Sequence, residues 1–376
     1  MRCFGRLSLC NYLLNAVSWY PMIGLLHRRI LVPISVALGL GASPAVAQIG
    51  GQQAFSFLNL PPGAKTAALG GVNVSVRDAD PTMLLSNPAL LNAEMDGRLA
   101  LSFVDYVADI KQSTLAYAFK PKEADAGQRW GATLSYLNYG ELIMRDPAGN
   151  ALGTFSVNEY AAGLTYAYVQ GPFTLAGTGK LAVSGIGGNH SVALLADVGA
   201  VFKHPEKDFT VGLAVKNAGY QLRPYAGAGR EPMPLDVQLG ASIKPEHMPL
   251  RFSITAHNLQ RLDIVYLDPN QRGQLDENGE EIKKKKSLGD KVARHFAVGG
   301  ELLLGKNLNL RLGYNHLQRR ELRLDNAAGG AGISFGVMLR ISQFQLDYTR
   351  AGLHASGAAN YFTVARNLNT LFVKNQ

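Results

Sequence analysis

The sequence predicts an all-β protein, a fourteen-stranded antiparallel transmembrane β-barrel with an N-terminal hatch, and three observations predict it. From residue 98 onward, segment after segment alternates apolar and polar residues at period 2. These segments run roughly 9–13 residues, the length needed to cross a bilayer at a tilt. The gaps between them sort by parity, short ones alternating with long ones, as in barrels with tight periplasmic turns and long outer loops.

The first element is an export leader over 1–47. His27-Arg28-Arg29 forms a basic start, Ile30 to Leu40 an apolar stretch, and Ala45-Val46-Ala47 a small-x-small signal that places cleavage between Ala47 and Gln48. The apolar stretch is short for a membrane anchor, and Met22 is a possible alternative start. Both cysteines, Cys3 and Cys10, fall in this leader, so the mature chain has neither disulfides nor thiolate chemistry.

Residues 48–97 break the strand pattern. Leu60-Pro61-Pro62-Gly63, Gly70-Gly71 and Asp80-Pro81 punctuate them, and Met83 to Leu91 reads as a short helical piece interrupted at Asn87-Pro88. A small periplasmic extension is the alternative to a hatch, but so wide a barrel would otherwise be water-filled.

The barrel is expected over 98–368, with strands near 98–106, 109–119, 130–140, 158–169, 173–185, 191–203, 209–217, 234–244, 250–258, 294–304, 307–316, 332–341, 343–350 and 359–368. In one strand Leu235, Val237, Leu239, Ala241 and Ile243 oppose Asp236, Gln238, Gly240, Ser242 and Lys244; in another Leu308, Leu310, Leu312 and Tyr314 oppose Asn309, Arg311, Gly313 and Asn315. Tyr160, Leu164, Tyr166 and Tyr168 share a face. The long gaps, 141–157, 218–233, 259–293, 317–331 and 351–358, are all odd-numbered. A soluble sandwich has no reason to sort its loops this way, and its strands would be shorter and its outer face polar. A tail, 369–376, follows the last strand.

Composition narrows function. Only 17% of residues are charged, against roughly a quarter in soluble domains. The net charge of +9 includes four leader arginines, and the run Lys283 to Lys286 holds much of the rest, which argues against nucleic acid as a partner. Gly332-Ile-Ser-Phe-Gly336 matches a nucleophile elbow but sits inside an alternating strand rather than a strand–turn–helix. Gly177-Thr-Gly-Lys180 lacks phosphate-loop spacing. The stretch from Asp268 to Gly279 departs from a calcium loop at Arg272 and Gly279. The mature histidines show no ligand spacing. The inner face carries both signs, Asp197, Lys216, Asp236, Arg251, Glu301, Arg311, Arg340 and Asp347, which suits internal pairing across a packed lumen better than an ion-selective pore. Neither catalytic residues, metal ligands nor a cofactor are expected.

Three stretches carry a family resemblance: Gln48-Ile-Gly-Gly-Gln-Gln-Ala-Phe-Ser-Phe-Leu-Asn-Leu-Pro, Ala67-Ala-Leu-Gly-Gly-Val-Asn-Val-Ser, and Leu85-Ser-Asn-Pro-Ala-Leu-Leu-Asn. Tyr106-Val-Ala-Asp-Ile-Lys, Leu137-Asn-Tyr-Gly and Asp146-Pro-Ala-Gly-Asn-Ala-Leu-Gly-Thr-Phe extend it. The mature chain resembles the PorQ-like proteins of the type IX secretion system and, more widely, PorV and the FadL-like fatty-acid transporters, which have fourteen strands and an Asn-Pro-Ala hatch motif. Asn87, Pro88 and Ala89 match that motif, with Gly70 and Gly71 upstream. The C-terminus departs from many outer-membrane barrels, since Phe372 is followed by four more residues.

The resemblance implies a non-catalytic outer-membrane scaffold that holds PorZ in a surface attachment complex with PorU and PorV, amid outer-membrane lipid and lipopolysaccharide. The outer loops 259–293 and 317–331, with Tyr266, Arg272, Arg319 and Arg320, are then the docking surface, these being residue types enriched at hot spots. The competing reading is a passive FadL-like transporter of hydrophobic small molecules, with an apolar lumen pocket and a strand kink near the hatch.

Overall fold

A computed structural model describes residues 53–265, 287–322, 329–354 and 357–369. Fourteen strands follow one another: β1 (Arg98–Asp105), β2 (Lys111–Phe119), β3 (Gln128–Arg145), β4 (Ala151–Gln170), β5 (Phe173–Ile186), β6 (Asn189–Lys203) and β7 (Phe209–Arg223). The second half comprises β8 (Asp236–Ile243), β9 (Leu250–Ala256), β10 (Phe296–Leu304), β11 (Leu308–Asn315), β12 (Ile333–Ile341), β13 (Phe344–His354) and β14 (Gly357–Asn367). Each pairs antiparallel with its sequence neighbours, and β1 closes on β14 from Arg98↔Asn367 to Asp105↔Asn360. Closure leaves no edge, so the ladder satisfies backbone groups that hydrocarbon could not.

Side chains alternate as the sequence predicts. Leu101, Phe103, Tyr160, Leu164, Tyr166, Leu175, Leu239, Ile254, Leu312 and Phe362 point out and are exposed, while Ser102, Thr114, Thr165, Thr178, Gln238 and Thr363 point in and are buried. A polar inside and an aliphatic, aromatic outside is the inverse of a water-soluble barrel and matches a lipid solvent. The protein is an integral outer-membrane barrel. No helix among the described residues is long and apolar enough to cross a membrane.

The strands differ from prediction chiefly at the outer end. The stretch 141–157 is mostly strand: β3 and β4 continue as a ladder from Glu141↔Ser156 to Arg145↔Ala151 around a turn at 146–150. A register shift between Asn138 and Glu141, with Gly140 at φ 74°, marks where the ladder leaves the ring, and beyond it residues 141–145 and 151–154 are exposed on both faces, so no period-2 burial pattern marks the continuation. β7 likewise runs to Arg223 and β13 to His354, so 351–358 is not a long loop. The remaining long connections, 224–235, 257–295 and 316–332, still fall on one side.

Residues 53–97 lie within the ring. They form one short helix, α1 (Ala64–Ala68), and 3-10 turns at Ser56–Asn59, Pro81–Leu85, Pro88–Leu90 and Ala93–Met95. Three of these turns are capped by side chains: Asp80 accepts from Thr82 N, Asn87 from Ala89 N and Asn92 from Glu94 N. The helical reading of Met83 to Leu91 thus resolves into two capped turns parted at Asn87. Two further short helices sit at the outer rim, α2 (Leu288–Ala293) and α3 (His316–Glu321).

Candidate functional site: the hatch and the lumen wall

The hatch meets the wall backbone to backbone. α1 is followed by Gly70 and Gly71, both at positive φ (92° and 84°), and Gly70 lies against Ala297 of β10 and Tyr314 of β11. Opposite them the wall has Gly313, where a Cβ would strike Gly70 N and Ala68 O; four strands along the wall, on β7, a Cβ at Gly212 would strike Val74 O. Wall side chains then bond the hatch backbone. Asn315 Nδ2 donates to Gly70 O at 2.9 Å, Thr349 Oγ1 to Ala64 O at 2.7 Å, Ser334 Oγ to Ala68 O at 3.2 Å and Ser242 Oγ to Ser75 O at 3.0 Å. Ala64 N donates to Thr363 Oγ1 at 3.0 Å. Ser334, the centre of the elbow-like pentapeptide, is therefore a hatch anchor at the start of β12.

Asn87 organises the hatch itself. Its Oδ1 caps the Pro88–Leu90 turn through Ala89 N at 3.0 Å, and its Nδ2 donates to Val74 O at 2.9 Å. Asn87 and Ala89 are wholly buried. Gly70, Gly71, Asn87, Pro88 and Ala89 thus all belong to the seat of the hatch, at separate points of it.

Among the inner-face charges, Arg251, Glu301, Arg311 and Asp347 form one ion-paired cluster. Arg311 lies between Glu301, at 2.7 Å from its Nε, and Asp347, and Arg251 Nη1 reaches Glu301 Oε2 at 3.1 Å. Lys65 of α1 enters this wall cluster, with Glu301 at 3.9 Å and hatch Asp78 as its other partner. Lys65 is completely buried. Burial lowers its pKa to about 8 despite the pull of Glu301.

Between the hatch and β2–β6 lies a cavity of about 30 Å³, room for about one water. Its hatch side is apolar, Phe57, Leu58, Leu60 and Leu84; its wall side carries Thr165, Thr178, Lys180 and Asp197. Lys180 Nζ sits 2.7 Å from Asp197 Oδ1 and also bonds Asn217 Oδ1. Asn217, at φ 58°, occupies a bulge where the β6–β7 register shifts; its N donates to Asp197 Oδ1 at 2.7 Å and its Nδ2 to hatch Asn59 Oδ1 at 2.8 Å. An apolar cluster of Phe55, Phe57, Leu137, Leu195 and Met233 packs beside Tyr139. The arrangement offers an apolar surface faced by one ammonium–carboxylate pair. In sequence Lys180 reads as part of a chance phosphate-loop fragment, although Thr174, Ala176, Thr178, Lys180 and Ala182 mark the inward face of β5.

Of the proposed docking residues, Tyr266 and Arg272 lie outside the described residues, as do Ala47, Gln48, the calcium-like stretch and Lys283 to Lys286. Arg319 is half-buried and donates from Nη1 to Gly329 O at 2.8 Å; Arg320 is exposed and pairs through Nε with Asp290 at 2.9 Å. Among the described residues no group of three or more His, Cys, Asp or Glu side chains could hold a metal ion.

No family model matches the chain, and no curated protein does. Solved structures do. The CymD monoaromatic hydrocarbon channel superposes with a TM-score of 0.50 at 12% identity, over 83% of this chain and 97% of the channel. The Ralstonia pickettii toluene transporter TbuX gives 0.47 at 13% identity over 82% and 97%, and a Pseudomonas aeruginosa FadL homologue 0.44 at 11% over 81% and 98%. The likeness to CymD is one of fold, and this chain's own fold is a closed fourteen-stranded antiparallel barrel.

Proposed function

We propose that this barrel admits small hydrophobic molecules carrying a single polar end across the outer membrane, with the hatch as the closure. The observation that carries the reading is the two-sided cavity, apolar Phe57, Leu58 and Leu60 against the Lys180–Asp197 pair. In the closed state it holds only about one water, so a solute enters only as the hatch arm yields. The fold shared with a hydrocarbon channel supports this reading. Uptake of a fluorescent fatty acid into proteoliposomes tests it: the barrel is expected to speed uptake over empty vesicles, and Leu58→Trp, which fills the cavity, to slow it. Equal uptake with and without the barrel overturns the reading.

One observation favours the scaffold role implied by the PorQ-like stretches. The β3–β4 hairpin rises past the ends of its neighbours, since β2 stops pairing at Asn138 and β5 at Val157. It exposes Leu142, Ile143, Met144 and Leu152. Such a projecting apolar hairpin suits a partner protein. Affinity purification from outer membranes in mild detergent separates the readings, by recovery of PorZ-, PorU- and PorV-like proteins or of the barrel alone with bound lipid.

A further inference from the structure

The lipid-facing wall of β7–β11 is not smooth. Two outward positions that line its deepest stretch are small, Ala241 and Gly300, and both are flanked by large apolar neighbours. Gly300 stands directly between Phe252 and Leu312 on the flanking strands, and Ala241 between Val211 and Ile254. A Cβ on Gly300 would meet nothing within 4 Å. The result is a groove of about 500 Å³, lined by Phe209, Ile243, Phe252, Ile254, Val298 and Leu312 and ending at Tyr314. It runs from Phe209 and Ile243, at the inner ends of β7 and β8, towards the outer end of β11, where the strands are among the shortest of the barrel.

The outer end of the groove continues into a polar chain. Tyr314 Oη lies 2.9 Å from His316 Nδ1, and His316 Nε2 lies 3.2 Å from Asp290 Oδ1. Arg320 Nε and Arg294 Nε each reach the same Asp290 carboxylate at 2.9 Å. Three potentially cationic side chains therefore converge on one acid. Over 261–265, 287–296 and 314–322 the rim holds Arg261, Lys291, Arg294, Arg319 and Arg320 against Asp263, Asp290 and Glu321, with Lys291 Nζ 3.0 Å from Asp263 Oδ2, which leaves an excess of positive charge at the outer end of an apolar slot. The groove is continuous with the bilayer-facing belt, so hydrocarbon chains are the solvent that reaches it.

We propose that this face is a residence site for a phosphorylated, acylated glycolipid of the outer leaflet, one acyl chain lying in the Ala241–Gly300 groove and a phosphate against Arg320 and its neighbours at the rim. The charge complementarity selects an anionic head, and its position at the outer end selects the outer leaflet. The site is on the outside of the barrel and is independent of what the lumen carries.

Native mass spectrometry of the full barrel in detergent tests this, with bis-phosphorylated lipid A as probe and phosphatidylglycerol as competitor. One lipid A is expected to survive activation that strips phosphatidylglycerol. Retention is expected to fall about tenfold, as for the loss of roughly two buried methylenes, in Gly300→Leu combined with Ala241→Phe. Arg320→Glu is expected to weaken lipid A retention without filling the groove. Both variants alter outward-facing or rim positions, and heat-modifiable migration on gels verifies folding; if the groove-filled variant does not fold, Arg320→Glu alone decides. Retention unaltered by the substitutions, equal retention of phosphatidylglycerol, or a dimer that excludes lipid from this face would each overturn the proposal.

Discussion

Lys65 shows how a single buried charge conditions the hatch. Desolvation lowers its pKa to about 8 against the pull of Glu301, with Arg311 and Arg251 lowering it further. Once the hatch leaves the wall, the ammonium regains water and its ordinary value of 10.5. Between those values the undocked hatch binds the extra proton, so docking strengthens as pH rises through the window and gains nothing below it. Hydrogen exchange of amides 64–71, corrected for intrinsic rate, is expected to show protection growing by up to ~2 kcal/mol between about pH 7.5 and 9.5. In Lys65→Met that slope should vanish; a slope that survives the substitution assigns the effect to another group. A second residue-scale prediction concerns the glycine seat. Gly313→Ala puts a methyl onto Ala68 O and is expected to loosen the hatch by about 1–3 kcal/mol, read as faster proteolysis within 53–97. Gly300→Ala, facing open space on the other side of the wall, should leave proteolysis unchanged.

At the scale of elements, the strands fall into a long set and a short set. β3 and β4 span 18 and 20 residues, whereas β8 and β9 span 8 and 7. The excess in β3 and β4 lies beyond the register shift at Asn138–Glu141, outside the closed ring. Replacing 141–156 by a short turn is therefore expected to leave heat-modifiable migration unchanged, because β3 keeps its pairing with β2 from Phe119↔Trp130 to Lys111↔Asn138. Loss of folding would show that the hairpin nucleates the barrel. The same elements explain what could be read in advance. Strands such as 235–243 are legible because hydrocarbon on one side and packed lumen on the other enforce strict alternation. The hairpin reads as a loop in sequence because, beyond the ring, both of its faces are exposed and nothing enforces that alternation. α1 leaves no signal: its five residues, Lys65 and Thr66 included, are all buried, so no side faces solvent and no helical period appears. The Asn-Pro-Ala turn was visible because capping uses a short local code, Asn87 before Pro88. The site around Lys180 was not, because Asn59, Lys180, Asp197 and Asn217 come together only when the ring closes.

For the molecule as a whole, the question is what seals a barrel this wide. The ring supplies the ladder but not the filling. Met83, Leu84, Leu90, Leu91 and Met95 of the hatch form a core with Ala118, Ala167, Ala176 and Val201 of the wall, small wall residues leaving space for large hatch ones. On the opposite side the seal is polar, through Lys65, Glu301 and Arg311 and the bonds from Asn315, Ser334, Thr349 and Thr363. The space left among the described hatch–wall contacts includes the cavity of about 30 Å³ by Lys180 and another of about 10 Å³ by Gly71 and Gln318. Neither passes a hydrated ion. The intact barrel in a planar bilayer is therefore expected to be electrically quiet, and deletion of 53–97 to open a steady conductance of porin size, since the inner face is polar and would wet. The hatch-deleted ring should still migrate as a heat-modifiable barrel, because its fourteen strand pairs involve no hatch residue. A silent hatch-deleted ring that retains this migration would mean that the outer loops, not the hatch, close the lumen, and the proposed entry beside Phe57 and Leu58 would then lie below the real gate.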